Sequence, residues 1–471
     1  MSLWSAQEAA LATGGETAGD WQAEGVSIDT RTLQAGDLFV ALADQRDGHD
    51  FVAEALQKGA SAALVSRRPA DVLSDENLLY VKDVQAALEG LARAARQRSA
   101  AQVIAITGSA GKTSTKEMLR VMLQAQGKTH ASYASYNNHW GVPLTLASLP
   151  RDAAFAVVEI GMSNSGEIAP LARLVRPDAA LITTVAPAHL AAFENLEGIA
   201  REKAAIVQGL TAQGYAVLNA EAPCRSVMEQ AVAAKGCQSL WFGTGAAQAR
   251  IAQLSVKDGL TQVMASIGDL SLKFELHTVG RHFAMNALGA LALLSKLNAD
   301  VEKAARVLAQ WQPAEGRGMR HQLHASFGAF ELIDDAYNAN PVSMQAALDV
   351  LAQATSSRRV AFLGDMKELG ADERAHHSAL AQLPAIRNID LIHMAGPLMA
   401  ALHHSLPVEK RGQHFANAKE MAACVEDLLQ ADDCILVKAS LSSGLRQVVD
   451  AIKIISQSDP DCAARPVERK R

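Results

Sequence analysis

Along this chain, short blocks of almost unbroken apolar residues alternate with segments whose apolar positions recur every three or four residues. Between 102 and 219 the blocks VIAIT, FAVVEI, AALITTV and YAVLN are too short for helices and too uniformly apolar for strands with one wet face. They predict parallel strands covered on both faces by crossover helices, a doubly wound, mostly parallel α/β domain. Upstream, LFVAL and AALVS bracket the polar loop ADQRDGHD and a helical stretch, DFVAEALQKGA, closed by Gly59; this reads as a small α/β unit. A helix from about Asp83 to Arg98 follows, with Val84, Leu88, Leu91 and Ala95 on one face. From about Ala247 to Leu276 the pattern changes to alternation (IAQLSV, LSLKFEL), predicting an antiparallel appendage ahead of the helix NALGALALLSKL. Beyond Pro313 the β-α rhythm resumes through FELIDD, SMQAALDVLAQA, VAFLGD, DLIHMAG, AKEMAACVEDLLQ and CILVKAS, a third, Rossmann-like α/β domain. The expected division is 1–82, 83–313 and 314–455, with an unstructured tail, 456–471, that contains Pro460 and Pro466.

A length of 471 residues suits three domains. No repeat of 20 to 50 residues is visible, which argues against a solenoid. With 44 basic and 50 acidic side chains the net charge is −6, so no overall field draws the protein to nucleic acid or anionic lipid. The five cysteines (Cys224, Cys237, Cys424, Cys434, Cys462) are odd in number and form no CxxC. That disfavours a disulfide framework and a zinc ribbon and suits a reducing cytoplasm. The opening MSLWSAQEAALATGG has no basic leader, and no apolar run approaches the ~20 residues that cross a bilayer. A soluble, unexported monomer is expected.

Candidate chemistry concentrates in VIAITGSAGKTSTKEMLRVML, where a buried strand runs into a glycine loop that opens a helix with Met118, Leu119, Met122 and Leu123 on one face. Such a junction aims backbone N–H groups and a helix N-terminus at one spot, and both favour phosphate. Gly108, Ser109, Ala110, Gly111, Lys112, Thr113 and Ser114 form the candidate nucleotide cradle. Lys112 is placed to neutralise β/γ oxygens and the Thr113 hydroxyl to hold Mg²⁺. The loop departs from GxxxxGK[ST], because Ile106 stands at the first glycine position. Glu159 and His189 follow the apolar blocks FAVV and AALITTV, at the edge where open α/β sheets bind ligands, and a carboxylate with a neutral imidazole there suits Mg²⁺. Taken singly, a residue of either kind is more often a helix cap or a loop hydrogen-bond partner.

Lys203 shares an otherwise apolar helix face with Ile199, Ile206, Val207 and Leu210. One reading has it snorkel to water. In the other it is held near the metal, where desolvation leaves a neutral amine able to form a carbamate with CO₂. In the third domain, FELIDD ends in Asp334 and Asp335, followed by AYNANP. Asn340 and Pro341 suit a helix N-cap and first turn, whereas Asp335 and Tyr337 call for another role. PAEGRGM sets Arg317 beside two glycines, fitting either a hinge that carries a phosphate-reaching guanidinium or a solvated linker.

Taken together, SIDTRTLQAGDLFVAL, DGHDF, TGSAGKTSTKEM, NNHWGVPLTL, VVEIGMSNSGEIA, APAHLAAF, DDAYNANPVSM, LGDMKELG and VKAS, in this order, resemble the ATP-dependent Mur ligase family over nearly the whole chain. Within it, DTR with DGHDF, DDAYNANP and GDMKELG resemble the members that add D-alanyl-D-alanine. The resemblance implies a first domain that binds the UDP end of UDP-N-acetylmuramoyl-tripeptide through Ser27, Asp29 and Arg31, with Asn137 and Asn138 near substrate and metal. It also implies Mg²⁺ held through Thr113, Glu159, His189 and carbamylated Lys203, with Lys112, His189 and Lys203 as the catalytic set. Asn286 would contact adenine, and Arg317 and Asp335 would engage ATP. Tyr337, Asn338, Asn340, Lys438 and Ser440 would receive the dipeptide. The chain departs from the family's usual HNxxNAL at Phe283 and from its KGSR at Ala439 and Leu441.

The implied chemistry makes an acyl phosphate from ATP and the peptide carboxylate, which the dipeptide amine then attacks. Three rivals stay open: a sister ligase that adds a single amino acid or extends folate with glutamate, a P-loop kinase or switch NTPase, and a weakly active binding homologue.

Overall fold

The computed structural model describes residues 2–457 except Asp258. The tail expected from Ser456 lies outside the described residues from Ser458 onward, while Ser456 and Gln457 still belong to the last helix, Arg446–Gln457.

A five-stranded sheet comes first, in the order Glu16–Thr17, Leu78–Tyr80, Ala62–Val65, Asp37–Val40, Gly25–Ser27, parallel except at its first pair. Asp83 caps helix Val84–Arg98 by accepting the Ala86 N–H at 2.7 Å. Val84, Leu88, Leu91 and Ala95 then pack with Trp4, Leu38 and Leu64, as their spacing requires. Helix Ala6–Thr13, opened by a reciprocal Ser5/Glu8 capping box, was not foreseen.

The central sheet has nine strands. Gln102–Thr107 lies between Phe155–Glu159 and Ala179–Ile182, all parallel, so three carboxyl ends open onto one edge. The alternating segment is not a separate appendage. Strands Ala249–Lys257, Leu260–Ile267 and Leu270–Leu276 are antiparallel to one another, but Ala249 and Arg250 pair in parallel with Phe242 and Gly243 and so lengthen the same sheet. Their inward residues Ile251, Val263, Leu272 and Phe274 share one core with helix Arg281–Leu294, which is buried on nearly every side.

The third sheet has six strands, ordered Met319–Ala325, Gly328–Asp335, Asp433–Lys438, Arg358–Gly364, Leu391–Ala395, Arg411–Phe415 and parallel after the first pair. The segment AKEMAACVEDLLQ is helical only over Ala418–Cys424 before a 3-10 turn at Glu426–Leu428.

His393 sits inside this sheet, 2% exposed, stacked on Phe362 at 5.0 Å and accepting the Gln413 N–H at Nδ1. Burial, reinforced by the Arg358 charge, pushes its pKa down to about 4. The folded-state value lies below the ordinary ~6.5 of an unfolded chain, so the stabilisation is complete above pH 6.5 and is lost as pH falls towards 4. It amounts to about 3 kcal/mol. Urea unfolding at pH 7 and pH 4.5 should therefore show a smaller acid loss in His393→Gln than in the parent; equal losses would refute this.

Candidate active site

The strand Gln102–Thr107 runs into a loop that only glycine permits. Gly108 and Gly111 have φ of 149° and 81°, and a Cβ on Gly111 would stand 2.7 Å from Asn286 Nδ2. Asn286 thus backs the loop from helix Arg281–Leu294. Ser109 Oγ donates to Ala186 O at 3.0 Å and accepts the Ala186 N–H at 2.9 Å, while Thr183 Oγ1 donates to Ala110 O. These bonds fix the loop's shape before any ligand arrives.

Lys112 opens helix Lys112–Gln124 and folds its amine back to Gly108 O at 2.8 Å. Burial holds that amine below the usual lysine range, with the Glu159 charge opposing. Thr113 Oγ1 donates to Glu159 Oε2 at 2.9 Å and Asn137 Nδ2 donates to Glu159 Oε1 at 2.7 Å, so both carboxylate oxygens are aimed. Ser114 follows on the same helix turn. Asn138 Oδ1 accepts the Gly141 N–H at 2.9 Å, at the head of helix Gly141–Ala147.

His189, at φ 59°, lies past strand Ala179–Ile182 and pairs through Nδ1 with Glu368 of the third domain. Burial lowers its pKa, Glu368 opposes, and the Lys112 and Lys203 charges lower it further. Lys203 is 1% exposed in the last turn of helix Leu196–Ala204, and its amine makes no hydrogen bond among the described residues. Burial pushes it well below the ordinary range, and Lys112 adds to the effect. The α-helix stops at Ala204; Ile206 and Val207 continue the apolar surface in a 3-10 turn. Neighbouring Glu202 accepts the Gly166 and Ile168 N–H groups at 2.8 and 2.7 Å, which pins this helix.

From the third domain, Arg317 sits between Gly316 and Gly318, both at positive φ. Its guanidinium stacks over Tyr337 at 4.2 Å, and Nη2 donates to Ser135 Oγ at 2.7 Å. One cavity of about 250 Å³ collects Ser109 to Thr113, Asn137, Asn138, Glu159, His189, Arg317, Tyr337 and Asn338. Asn340 caps helix Pro341–Ala352 through Ser343, and its Nδ2 also donates to Ser109 O at 3.1 Å across the domains.

Lys438 and Ser440 stand apart from the expectation that they offer free donors to a dipeptide carboxylate. The Lys438 amine, 1% exposed, is held by Asp335 Oδ2 at 2.6 Å and Asn338 O at 3.0 Å. Ser440 Oγ accepts the Lys367 N–H at 2.9 Å and reaches Ala339 O. Parallel pairing of Asp335 with Lys438 places the two charges side by side, so they neutralise each other rather than face the cavity. Asp335 does not line it either.

Ser27, Asp29 and Arg31 form a separate group. Asp29 binds the Arg31 guanidinium bidentately and is held below its usual range by it, leaving the Arg31 side chain 86% exposed. Tyr136, one residue before Asn137, lies within electrostatic reach of both. Of the departing residues, Phe283 packs on Trp311 with ring centroids 5.3 Å apart, Ala439 is buried against Gly364, and Leu441 is exposed.

Sequence reasoning missed Glu368, Tyr136 and Lys116. Fully buried Lys116 donates to Ser132 O at 2.8 Å and to Ala134 O, clamping the segment that carries Ser135 and Asn137. Lys116→Met would strand both carbonyls, and a loss of about 2 kcal/mol in stability is expected together with slower turnover. Thermal unfolding and an activity assay on one preparation check this, and parental values in both would exclude the clamp.

Three family patterns cover most of the chain: "Mur ligase family, catalytic domain" at residues 22–97, "Mur ligase middle domain" at 106–294 and "Mur ligase, glutamate ligase domain" at 319–441. The UDP-N-acetylmuramoyl-tripeptide–D-alanyl-D-alanine ligase of Rickettsia prowazekii is 30% identical, over 95% of this chain and 99% of its own. The Escherichia coli protein of the same name is 36% identical over 91% and 94%. A crystal structure of MurF from Acinetobacter baumannii superposes with a TM-score of 0.83 at 29% identity, covering 96% of this chain and 99% of that one. MurF ligase from Thermotoga maritima in complex with ADP, at 23% identity over 92% and 98%, shares the fold with a TM-score of 0.75. With three successive domain patterns and such relatives along nearly its full length, the chain belongs to the Mur ligase family.

Proposed function

We propose that the chain is an ATP-dependent ligase that joins D-alanyl-D-alanine to UDP-N-acetylmuramoyl-tripeptide, giving the pentapeptide precursor of peptidoglycan with ADP and phosphate. The observation that carries this reading is the shared cavity. A phosphate loop with a carboxylate and an imidazole from one domain meets a guanidinium, a tyrosine and an asparagine from another. The relatives' shared name supports the substrates.

In the proposed reaction a terminal carboxylate oxygen of the tripeptide attacks the γ-phosphorus of ATP, the bond to the bridging oxygen breaks, and ADP leaves. The dipeptide amine then attacks the acyl phosphate carbon. The tetrahedral intermediate collapses with loss of phosphate, and the amine's surplus proton goes to water. No covalent enzyme nucleophile takes part. The protein contributes position and charge: the loop N–H groups and Lys112 hold phosphoryl oxygens, and Arg317 reaches from the opposite wall. Asn286, against Gly111, is within reach of a nucleotide on that loop. Ser27, Asp29 and the exposed Arg31 suit the UDP end, and Asn137 and Asn138 suit the sugar-peptide between. Tyr337 and Asn338 are the donors nearest an incoming dipeptide, with Asn340, Asp335, Lys438 and Ser440 holding their loop.

The residues present fit Mg²⁺. The Thr113 hydroxyl and the Glu159 carboxylate are hard oxygen donors beside the loop, the donor type that Mg²⁺ takes. Bound there with His189 and a carbamylated Lys203, Mg²⁺ would neutralise charge on the transferring phosphate. The carbamate forms when the neutral Lys203 amine adds to CO₂, making an N–C bond and releasing one proton. The burial of Lys203, which holds its amine well below the ordinary lysine range, supports it.

The test is release of ADP and phosphate from purified protein. Release that requires both the nucleotide tripeptide and D-alanyl-D-alanine, and that fails with single amino acids or with folate and glutamate, is expected. Release with neither co-substrate would point to an NTPase.

A further inference from the structure

We propose that Glu368 is a positioning residue for His189, through which docking of the third domain sets the imidazole's tautomer. The inference rests on reading His189 as a metal ligand. Two short turns meet here, one from each domain: Leu190–Ala192 follows His189, and Gly370–Asp372 follows Glu368. The Ala191 N–H donates to Glu368 O at 3.3 Å while the Glu368 carboxylate takes His189 Nδ1. One glutamate therefore holds its partner turn by backbone and side chain at once. Both residues are in the left-handed region, φ 59° and 65°, a strained backbone that the surrounding contacts must impose. A Cβ on Gly370 would stand 3.5 Å from the Leu190 and Ala191 backbones, an ordinary contact distance, so the two turns lie side by side with a gap of little more than a methyl group at this point.

The carboxylate is 60% exposed, and an ion pair so open to water adds little to stability. Its consequence lies in the ring. A carboxylate that accepts the Nδ1 proton leaves Nε2 unprotonated, as a metal-binding imidazole requires, and makes that nitrogen more basic. The acceptor comes from the third domain, so an undocked domain removes it and the ligand loses its fixed tautomer and orientation. Docking and completion of the metal site become one event.

The test uses full-length protein labelled with ¹⁵N-histidine, with the His189 signals identified from their loss in His189→Gln. The parent should show the Nδ1–H tautomer, and Glu368→Ala should shift it towards Nε2–H. In the same variant the Mg²⁺ concentration for half-maximal turnover should rise about tenfold, while the KM for D-alanyl-D-alanine stays within about twofold. Glu368→Gln, whose amide oxygen still accepts, should recover most of both. An unchanged tautomer in Glu368→Ala overturns the proposal, even if stability falls or every KM rises together. A changed tautomer in a protein whose turnover needs no Mg²⁺ supports the positioning role and overturns the metal assignment of His189 instead.

Discussion

Substitution of Lys112 by alanine is expected to slow ligation at least a hundredfold, about 2.7 kcal/mol or more in the transition state. The amine rests on Gly108 O, close to Glu159 and Arg317, at the head of a helix whose free N–H groups face the same cavity. Nothing else in the loop carries a mobile positive charge. Alanine is a good helix former and the lost bond is a single one to a carbonyl, so the fold should survive with a melting temperature close to the parent's. The deficit should appear in kcat more than in the KM for ATP, because N–H groups remain to bind ground-state phosphate while the charge that builds up on transfer goes unbalanced. Near-parental kcat in Lys112→Ala would remove the loop from catalysis.

The second large effect is expected at Lys203. Its side chain is 1% exposed and burial holds the amine well below the ordinary lysine range, a costly setting for the charge of a lysine with only structural duties. Lys203→Met keeps the apolar stem and removes that cost, so melting temperature should hold or rise while ligation falls a hundredfold or more. Loss of activity with gain of stability separates a functional lysine from a packing one. Stripping CO₂ from the parent should mimic the variant reversibly, and a short carboxylate such as acetate should restore part of the activity of Lys203→Ala. A variant that ligates normally, or a parent indifferent to CO₂, would leave the amine without the carbamate role.

Much of this was legible in the chain. Parallel strands read as apolar blocks because both faces are covered, and the glycine loop read clearly because strand, turn and helix signals fall in succession. Other features depend on partners far along the chain. Asn340 announces a helix cap, but nothing nearby tells that its amide also reaches Ser109, 231 positions away. Lys438 looked like a free donor because register, which sets Asp335 beside it, is a property of the sheet. The alternating strands announced one wet face but not the edge they join, since edge pairing is made by backbone. Lys116 was within reach: it precedes Leu119 and Leu123 by three and seven residues on an apolar face, the pattern that singled out Lys203. Glu368 lay inside the motif LGDMKELG, but as an exposed acid it gave no sign that it meets His189, far back along the chain.

The bond from Asn340 to the Ser109 carbonyl bears on how freely the parts of such an enzyme can be exchanged. A loop of this kind is usually treated as the property of one module, transferable with its strand and helix. Here one of its carbonyls is held by the residue just ahead of a helix in another module, and the same asparagine is that helix's own cap. Recombination that joins the central domain to a foreign partner must therefore supply an asparagine, or an equally short donor, at that one position, or the nucleotide cradle is left with an open side. The seam between the two modules is written in the loop as much as in the linker.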